Sequence, residues 1–152
     1  MVIEAPLSKY RKNNIKIYIV ICVVLAAWFF YDGYFNRGFM EKHTDANKNP
    51  NSTLMFNRKS PPYLLGAAVV LGVYLFGIRN KKVVLDGNNL TAGKLNITCD
   101  SIEKIDKTNF SSKGYFVITY KDPKSNEYEL KLSDRTYDNL PAILDELVAR
   151  IG

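Results

Sequence analysis

No charged side chain interrupts residues 17–31, which read IYIVICVVLAAWFFY. The wider apolar stretch, residues 15–35, would be about 31 Å long as an α-helix at about 1.5 Å per residue. Because the hydrocarbon core of a bilayer is about 30 Å thick, we expect a first transmembrane helix at residues 15–35. The aromatic side chains at its end match the belt that transmembrane helices place at the membrane interface.

A second uncharged stretch, PPYLLGAAVVLGVYLFGI at residues 61–78, would be about 27 Å long and predicts a second transmembrane helix. Two alternatives stay open at this stage. Either stretch is long enough to be the core helix of a soluble domain, and the first, with its basic start, also resembles a cleaved signal peptide. The bulky residues 28–31, directly after the cleavage-like Ala26-Ala27, favour a retained anchor.

The placement of charges predicts the topology of these two helices. Eight Lys and Arg residues flank their outer ends, against five in the segment between them. The positive-inside rule therefore predicts a multi-pass protein of the cytoplasmic (inner) membrane, with both termini in the cytoplasm. The cations nearest the outer ends are candidates for contact with anionic lipid headgroups: Lys9, Arg11, Lys12, Arg79, Lys81 and Lys82.

The basicity of the chain belongs mainly to these flanks. Of the net charge of +6, residues 1–78 contribute five and residues 79–152 contribute one. A nucleic-acid-binding domain carries a concentrated basic patch instead, so we expect membrane lipids and no nucleic acid among the partners.

The segments outside the two apolar stretches are polar. Residues 1–14 are expected to form a basic cytoplasmic segment, and residues 36–60 a polar extracytoplasmic loop rich in Asn and Lys. At 25 residues this loop is long for a connection between adjacent helices. Three apolar residues interrupt it: Leu54, Met55 and Phe56. We expect them to contact a partner protein, to dip into the membrane interface or to pack on the helix ends.

Residues 81–152 predict a small α+β domain. Apolar residues alternate in short runs separated by turns, which is typical of five or six antiparallel strands. The strongest strand is predicted at residues 115–120, which are all β-branched or aromatic, and residues 127–132 alternate cleanly. The last element, residues 137–151, is predicted to be an amphipathic helix whose apolar stripe begins at Leu140.

This order of elements resembles that of small bacterial membrane proteins in which two transmembrane helices precede a pleckstrin-homology-like domain. The segment LNITCDSIEKI at residues 95–105, the two strands with their hairpin, and the terminal helix carry the resemblance. It implies a bent antiparallel sheet closed by the helix, with no shared catalytic residues. The roughly 70 residues available are few for seven strands, so a strand is expected to be missing or replaced.

The sequence contains few of the residues and motifs that are typical of catalytic sites. It has one His and no Gly-rich phosphate loop, Cys-x-x-Cys pair or Gly-x-Ser-x-Gly nucleophile motif. Cys22, in the first apolar stretch, and Cys99, in the last domain, are expected to be buried thiols that do not pair with each other. We therefore expect a protein that is not an enzyme, with no catalytic residue, cofactor or metal.

Two features indicate assembly with other chains. The second apolar stretch contains small residues that let helices approach closely, within the chain, in a homo-oligomer or against another subunit: Gly66, Ala68 and Gly72. Three tyrosines on the predicted strands are candidates for partner contact: Tyr115, Tyr120 and Tyr128. The leading hypothesis is a structural protein, scaffold or accessory subunit of a larger membrane complex. A sensor of anionic lipids is the alternative, and a transporter component or an enzyme comes third.

Overall fold

Short antiparallel strands and a terminal helix form the end of the chain, as the alternation of its sequence predicts. The structure is a computed structural model that describes residues 2–151. Its elements are, in chain order, β1 (Val2–Pro6), α1 (Lys9–Tyr34), α2 (Arg37–Lys42), α3 (Ser52–Ile78), β2 (Lys82–Asp86), β3 (Asn89–Ala92), β4 (Leu95–Thr98), β5 (Ile102–Asp106), α4 (Phe110–Lys113), β6 (Tyr115–Lys121), β7 (Glu127–Ser133) and α5 (Leu140–Ile151). They belong to two units, a sheet domain of residues 2–12 and 78–151 and a helical unit of residues 13–77.

The strands of the sheet domain lie in two antiparallel sheets. One sheet has the order β1-β2-β3-β4 and the other the order β5-β6-β7. The expected bent sheet closed by a helix is confirmed only in its coarser part: the antiparallel strands and the last helix are present, but the strands described between residues 2 and 151 divide into two sheets that are not closed. Buried residues from both sheets and from α5 form one core, whose fully buried members are Ala5, Val83, Leu85, Leu90, Phe116, Ile118, Leu140, Ile143 and Leu147.

The first strand is the element that the sequence patterns missed. Residues 1–14 were expected to be a polar segment, but β1 pairs with β2 along its whole length, with Ala5 opposite Val83. Pro6 is tolerated in β1 because an edge strand does not need every N–H for pairing. The described strands number seven, since the strand expected to be missing comes from the chain before α1.

The predicted amphipathic helix is present as α5, although it begins three residues later than expected. Its apolar stripe is buried, and Leu140 and Ile143 are inaccessible to solvent. Pro141 lies in the first turn, where a missing N–H costs no helical hydrogen bond. Asp138, two residues before this helix, accepts a hydrogen bond from the N–H of Lys9 at the start of α1.

Both α1 and α3 are long and apolar enough to cross a membrane. Each begins earlier than its apolar stretch, so residues 52–60 of the expected loop are helical, and α2 occupies another part of it. In the most apolar 18-residue stretch of each helix, only 11% of α1 and 17% of α3 is buried. The core helix of a soluble protein is mostly buried, so this exposure argues against that alternative.

The buried residues of the helical unit follow one narrow seam on each long helix. On α1 they are Ile15, Ala26 and Gly33, and on α3 they are Leu54, Asn57, Pro61 and Ala68. Half-buried residues fill the gaps, so that successive seam positions are three or four residues apart, as in helices that pack along their length.

Candidate interaction surfaces

An open groove lies between β4 and the hairpin that joins β6 to β7. Its volume is about 740 Å³, within the range of about 300–1,000 Å³ that is usual for ligand sites. Its lining residues are Leu95, Asn96, Ile97, Thr98, Ser101, Tyr120, Lys121, Asp122, Pro123 and Tyr128. We call it the tyrosine groove.

Two of the three tyrosines predicted to contact a partner meet in this groove. Tyr120 and Tyr128 are opposite each other on β6 and β7, with ring centroids 5.9 Å apart and ring planes 29° apart. Tyr128 is about half exposed. Tyr115 lies at the other end of β6, where Lys131 Nζ is 3.7 Å from the centroid of its ring. Because side chains alternate along a strand, Tyr115 faces the opposite side of the sheet from Tyr120.

β4 brings an unpaired backbone edge to the tyrosine groove. It is the last strand of its sheet, so no strand described between residues 2 and 151 pairs with its other side. The N–H of Cys99 donates to the carbonyl of Asn88 at 2.8 Å. Antiparallel alternation then directs the backbone groups of Asn96 and Thr98 to the open side. The Thr98 carbonyl accepts from the Ser101 hydroxyl at 2.7 Å, which leaves the other groups of this edge for an added strand.

The polar rim of the groove is fixed by contacts within the chain. Lys121 and Glu103 form an ion pair at 2.5 Å, and their hydrogen bond raises the pKa of Lys121. The Asp122 carboxylate accepts the N–H of Asn126 at 2.9 Å and that of Lys124 at 2.8 Å. These hydrogen bonds, that of Asn126 first, lower the pKa of Asp122. The tyrosines and the edge of β4 are therefore the groups left for recognition.

At least two of the basic residues predicted to meet lipid headgroups have partners within the chain. Lys82 forms an ion pair with Glu4 at 2.5 Å. The Arg11 guanidinium donates to the Thr136 hydroxyl at 3.4 Å. The remaining four lie in the first turns of α1 or directly after α3: Lys9, Lys12, Arg79 and Lys81.

The apolar residues predicted to interrupt a loop lie instead in the first turns of α3. Leu54 is 1% exposed, so it is buried in its own unit and does not offer a surface to a partner. Met55 and Phe56 are exposed. Phe56 also packs edge to face against Phe29 of α1, with ring centroids 5.6 Å apart.

The pair Pro61-Pro62 lies in the part of α3 that follows its contact with the end of α1. Neither proline has a backbone N–H, so the carbonyls four residues earlier, on Asn57 and Arg58, lose their helical partners. A Cβ placed on Gly33 would lie 3.2 Å from the Asn57 carbonyl oxygen. The Tyr34 hydroxyl donates to the Arg58 carbonyl at 3.4 Å. The end of α1 thus covers both carbonyls that the prolines leave without helical donors.

Arg58 joins the same two helix ends through its side chain. Its Nε donates to the Gly33 carbonyl at 2.9 Å, and its guanidinium carbon lies 5.7 Å from the centroid of the Tyr34 ring. The sequence patterns do not indicate Gly33 or Arg58. A single glycine near the end of a helix, 25 positions before a single arginine, forms no recognisable pattern.

Of the three small residues that the sequence indicated for helix packing, Ala68 is buried, Gly72 is half-buried and Gly66 is exposed. A Cβ added at Gly66 or Gly72 would meet nothing within 4 Å. Among the glycines of the helical unit, Gly33 is therefore the one that lies closest to the other long helix.

We expect Gly33→Val to destabilise the helical unit by about 1–3 kcal/mol, because the new side chain overlaps the backbone of Asn57. Gly72→Val is the matched control, since it adds the same atoms to α3 in open space. Thermal unfolding of the detergent-solubilised protein, followed by the fluorescence of Trp28 on α1, measures both. Equal losses in the two variants would contradict the close contact at Gly33.

We expect the sheet domain to lose stability at alkaline pH because of Cys99, a free thiol. It is 5% exposed, and burial raises its pKa above the usual value of 9.0. The folded domain then holds this proton where the unfolded chain has lost it, so stability is retained below about pH 9 and falls as pH rises further. Urea unfolding between pH 7 and 10 tests this, and Cys99→Ala should flatten the dependence. An unchanged slope in that variant would refute the assignment.

Comparison with known proteins does not assign the chain to a group. No family model, curated protein or solved structure matches it. The surfaces described above are therefore interpreted from their own chemistry.

Proposed function

We propose that the protein is a non-enzymatic scaffold or accessory subunit that α1 and α3 anchor in the cytoplasmic membrane and that binds a partner protein in the tyrosine groove. The observation that carries this proposal is an unpaired strand edge and two stacked tyrosines in one groove. A strand edge is complementary to extended polypeptide, because it offers alternating N–H and C=O groups. Tyrosines add contact area at low cost in side-chain entropy. Since the sequence has no catalytic motif, the proposal includes no reaction.

Membrane anchoring is supported by the exposed apolar surface of α1 and α3. So large an apolar area requires cover, and helices satisfy their own backbone groups inside a bilayer. The pairing of β1 with β2 joins the chain before α1 to the chain after α3 in one domain. This supports a hairpin with both termini on one side of the membrane, and the positive-inside rule favours the cytoplasm.

A pleckstrin-homology-like identity for the sheet domain is also part of the proposal. Its support is a sheet of four strands, a sheet of three strands and a terminal helix, in that order along the chain. On this interpretation the two long helices are an insertion between the first and second strands. The fold by itself assigns no ligand, so the binding argument depends on the groove.

The experiment is extraction of the full-length protein, tagged at its carboxyl end, from its native membranes in mild detergent, followed by sizing and mass spectrometry. Asn96→Pro removes an N–H from the edge of β4, and Tyr128→Ala removes half of the stacked pair. Tyr115→Ala is the matched control, because it removes a tyrosine from the opposite face of the sheet. We expect each groove variant to recover about tenfold less of a stoichiometric partner, and the control to recover as much as the unchanged protein.

Each outcome discriminates between hypotheses. A stoichiometric partner that survives both groove variants would overturn the groove as the contact surface. A homogeneous assembly of this chain alone, lost in the same variants, would identify the partner as a second copy. A monomer with no partner would overturn the scaffold hypothesis and favour recognition of anionic lipids.

A further inference from the structure

A second cavity lies within the helical unit, between the end of α1 and the start of α3. Its volume is about 390 Å³, and its lining residues are Phe29, Phe56, Lys59, Ser60, Tyr63 and Leu64. We call it the aromatic notch. Apart from Lys59 and Ser60, the lining side chains are aromatic or aliphatic, so the notch suits an apolar occupant.

Lys59 places one positive charge beside this apolar surface. No carboxylate among residues 2–151 forms an ion pair with it. The neighbouring Arg58 is engaged, since its Nε donates to the Gly33 carbonyl. Lys59 also stands two residues before the uncharged stretch 61–78, where a membrane helix would pass from headgroups into hydrocarbon.

Ser60 adds an unsatisfied donor at the same place. Its Oγ is the one buried side-chain nitrogen or oxygen without a hydrogen bond in the described part of the chain. Leaving a buried hydroxyl unpaired is costly, and native structures usually provide a partner. Ser60 also lines the notch, so an occupant of the notch can supply the missing partner.

We infer that the aromatic notch binds one anionic phospholipid. An acyl chain lies against Phe29, Phe56 and Leu64, the phosphate pairs with Lys59, and a glycerol ester oxygen accepts from Ser60. The occupant that fits the notch has an apolar body, then a hydrogen-bond acceptor, then a negative charge. A phospholipid with a net negative headgroup has these three features in that order. The inference rests on the proposed membrane anchoring but is independent of the tyrosine groove.

Native mass spectrometry of the full-length protein tests the inference, with dioleoyl phosphatidylglycerol and dioleoyl phosphatidylcholine added to the detergent as probes. We expect one phosphatidylglycerol per chain to be retained about fivefold better than phosphatidylcholine. Lys59→Gln should abolish this preference. Lys42→Gln is the matched control, because it removes an equal charge from an exposed residue of α2 outside the notch.

A second pair of variants tests the site of the acyl chain. Leu64→Trp fills the notch and should lower retention of both lipids, whereas Leu65→Trp adds the same bulk at an exposed neighbouring position outside it. Equal retention of the two lipids by the unchanged protein, or a preference that survives Lys59→Gln, would overturn the inference. If Leu64→Trp fails to fold, the comparison of Lys59→Gln with Lys42→Gln still decides it. Failure of the protein to sediment with membranes would instead refute the anchoring.

Discussion

Replacing Ala5 with Asp is expected to unfold the sheet domain while α1 and α3 stay helical. Ala5 is inaccessible to solvent and lies opposite Val83 in the pairing of β1 with β2. An uncompensated buried charge costs about 3–5 kcal/mol. Since whole domains are stable by only about 5–15 kcal/mol, the loss would remove a large part of the total. Pulse proteolysis of the full-length protein in detergent measures the unfolded fraction of the domain.

Val2→Asn is the control for this variant. It introduces a polar side chain of the same size into the same strand, but Val2 is 56% exposed, and a neutral amide avoids a second carboxylate opposite Asp86. Surface changes of this kind usually alter stability by less than about 0.5 kcal/mol. If Val2→Asn and Ala5→Asp were equally protected from proteolysis, β1 would not be part of the sheet domain.

Phe116→Ala is expected to destabilise the sheet domain by about 3–5 kcal/mol. Phe116 is inaccessible to solvent in β6 and packs edge to face on Phe110, with ring centroids 5.5 Å apart. Removing the ring loses buried apolar area and leaves a cavity that the neighbouring strands fill only in part. The midpoint of urea unfolding, followed by pulse proteolysis, should fall accordingly.

Two further variants separate the cavity from other effects at this position. Phe116→Leu retains most of the volume and should cost less than about 1.5 kcal/mol. Tyr115→Ala removes an aromatic ring of similar size from the half-buried neighbouring position and should cost less than Phe116→Ala. A loss at Tyr115 as large as that at Phe116 would contradict the inward orientation of Phe116.

The predictable part of the fold is the part with sustained periodicity. β7 alternates over seven residues and the stripe of α5 repeats over three turns, so burial on one face determines both patterns. β6 was predictable from its composition instead, since residues 115–120 are all aromatic or β-branched. β1 also alternates, with Ala5 buried between exposed neighbours. Five residues that include a Glu and a Pro are too short a signal, and the partner strand β2 is distant in sequence. Pairing with β2 is a tertiary effect that local patterns do not encode.

Local sequence patterns also predicted only part of the candidate interaction surfaces. Tyr120 and Tyr128 were predicted as contact candidates, and the hairpin brings them together because their strands are consecutive. Their separation from Tyr115 follows from the two-residue period of β6, which was available in the sequence. The contact of Gly33 with Asn57 depends on how two helices meet, and composition alone favoured Gly66 and Gly72 instead. The placement of Lys59 and Ser60 beside Phe29 depends on the same meeting of helices.

The pairing of β1 with β2 also fixes an order of events during synthesis. Seventy-five residues separate Pro6 from Lys82, and they include both long helices. At about 5–20 residues per second, β1 leaves the ribosome some 4–15 seconds before its partner strand is made. Its edge stays unpaired throughout that interval and is open to the wrong strand or to a chaperone. The sheet domain can therefore finish folding only after the second long helix has been translated. Its resistance to protease would then report that both helices of the hairpin have been synthesised.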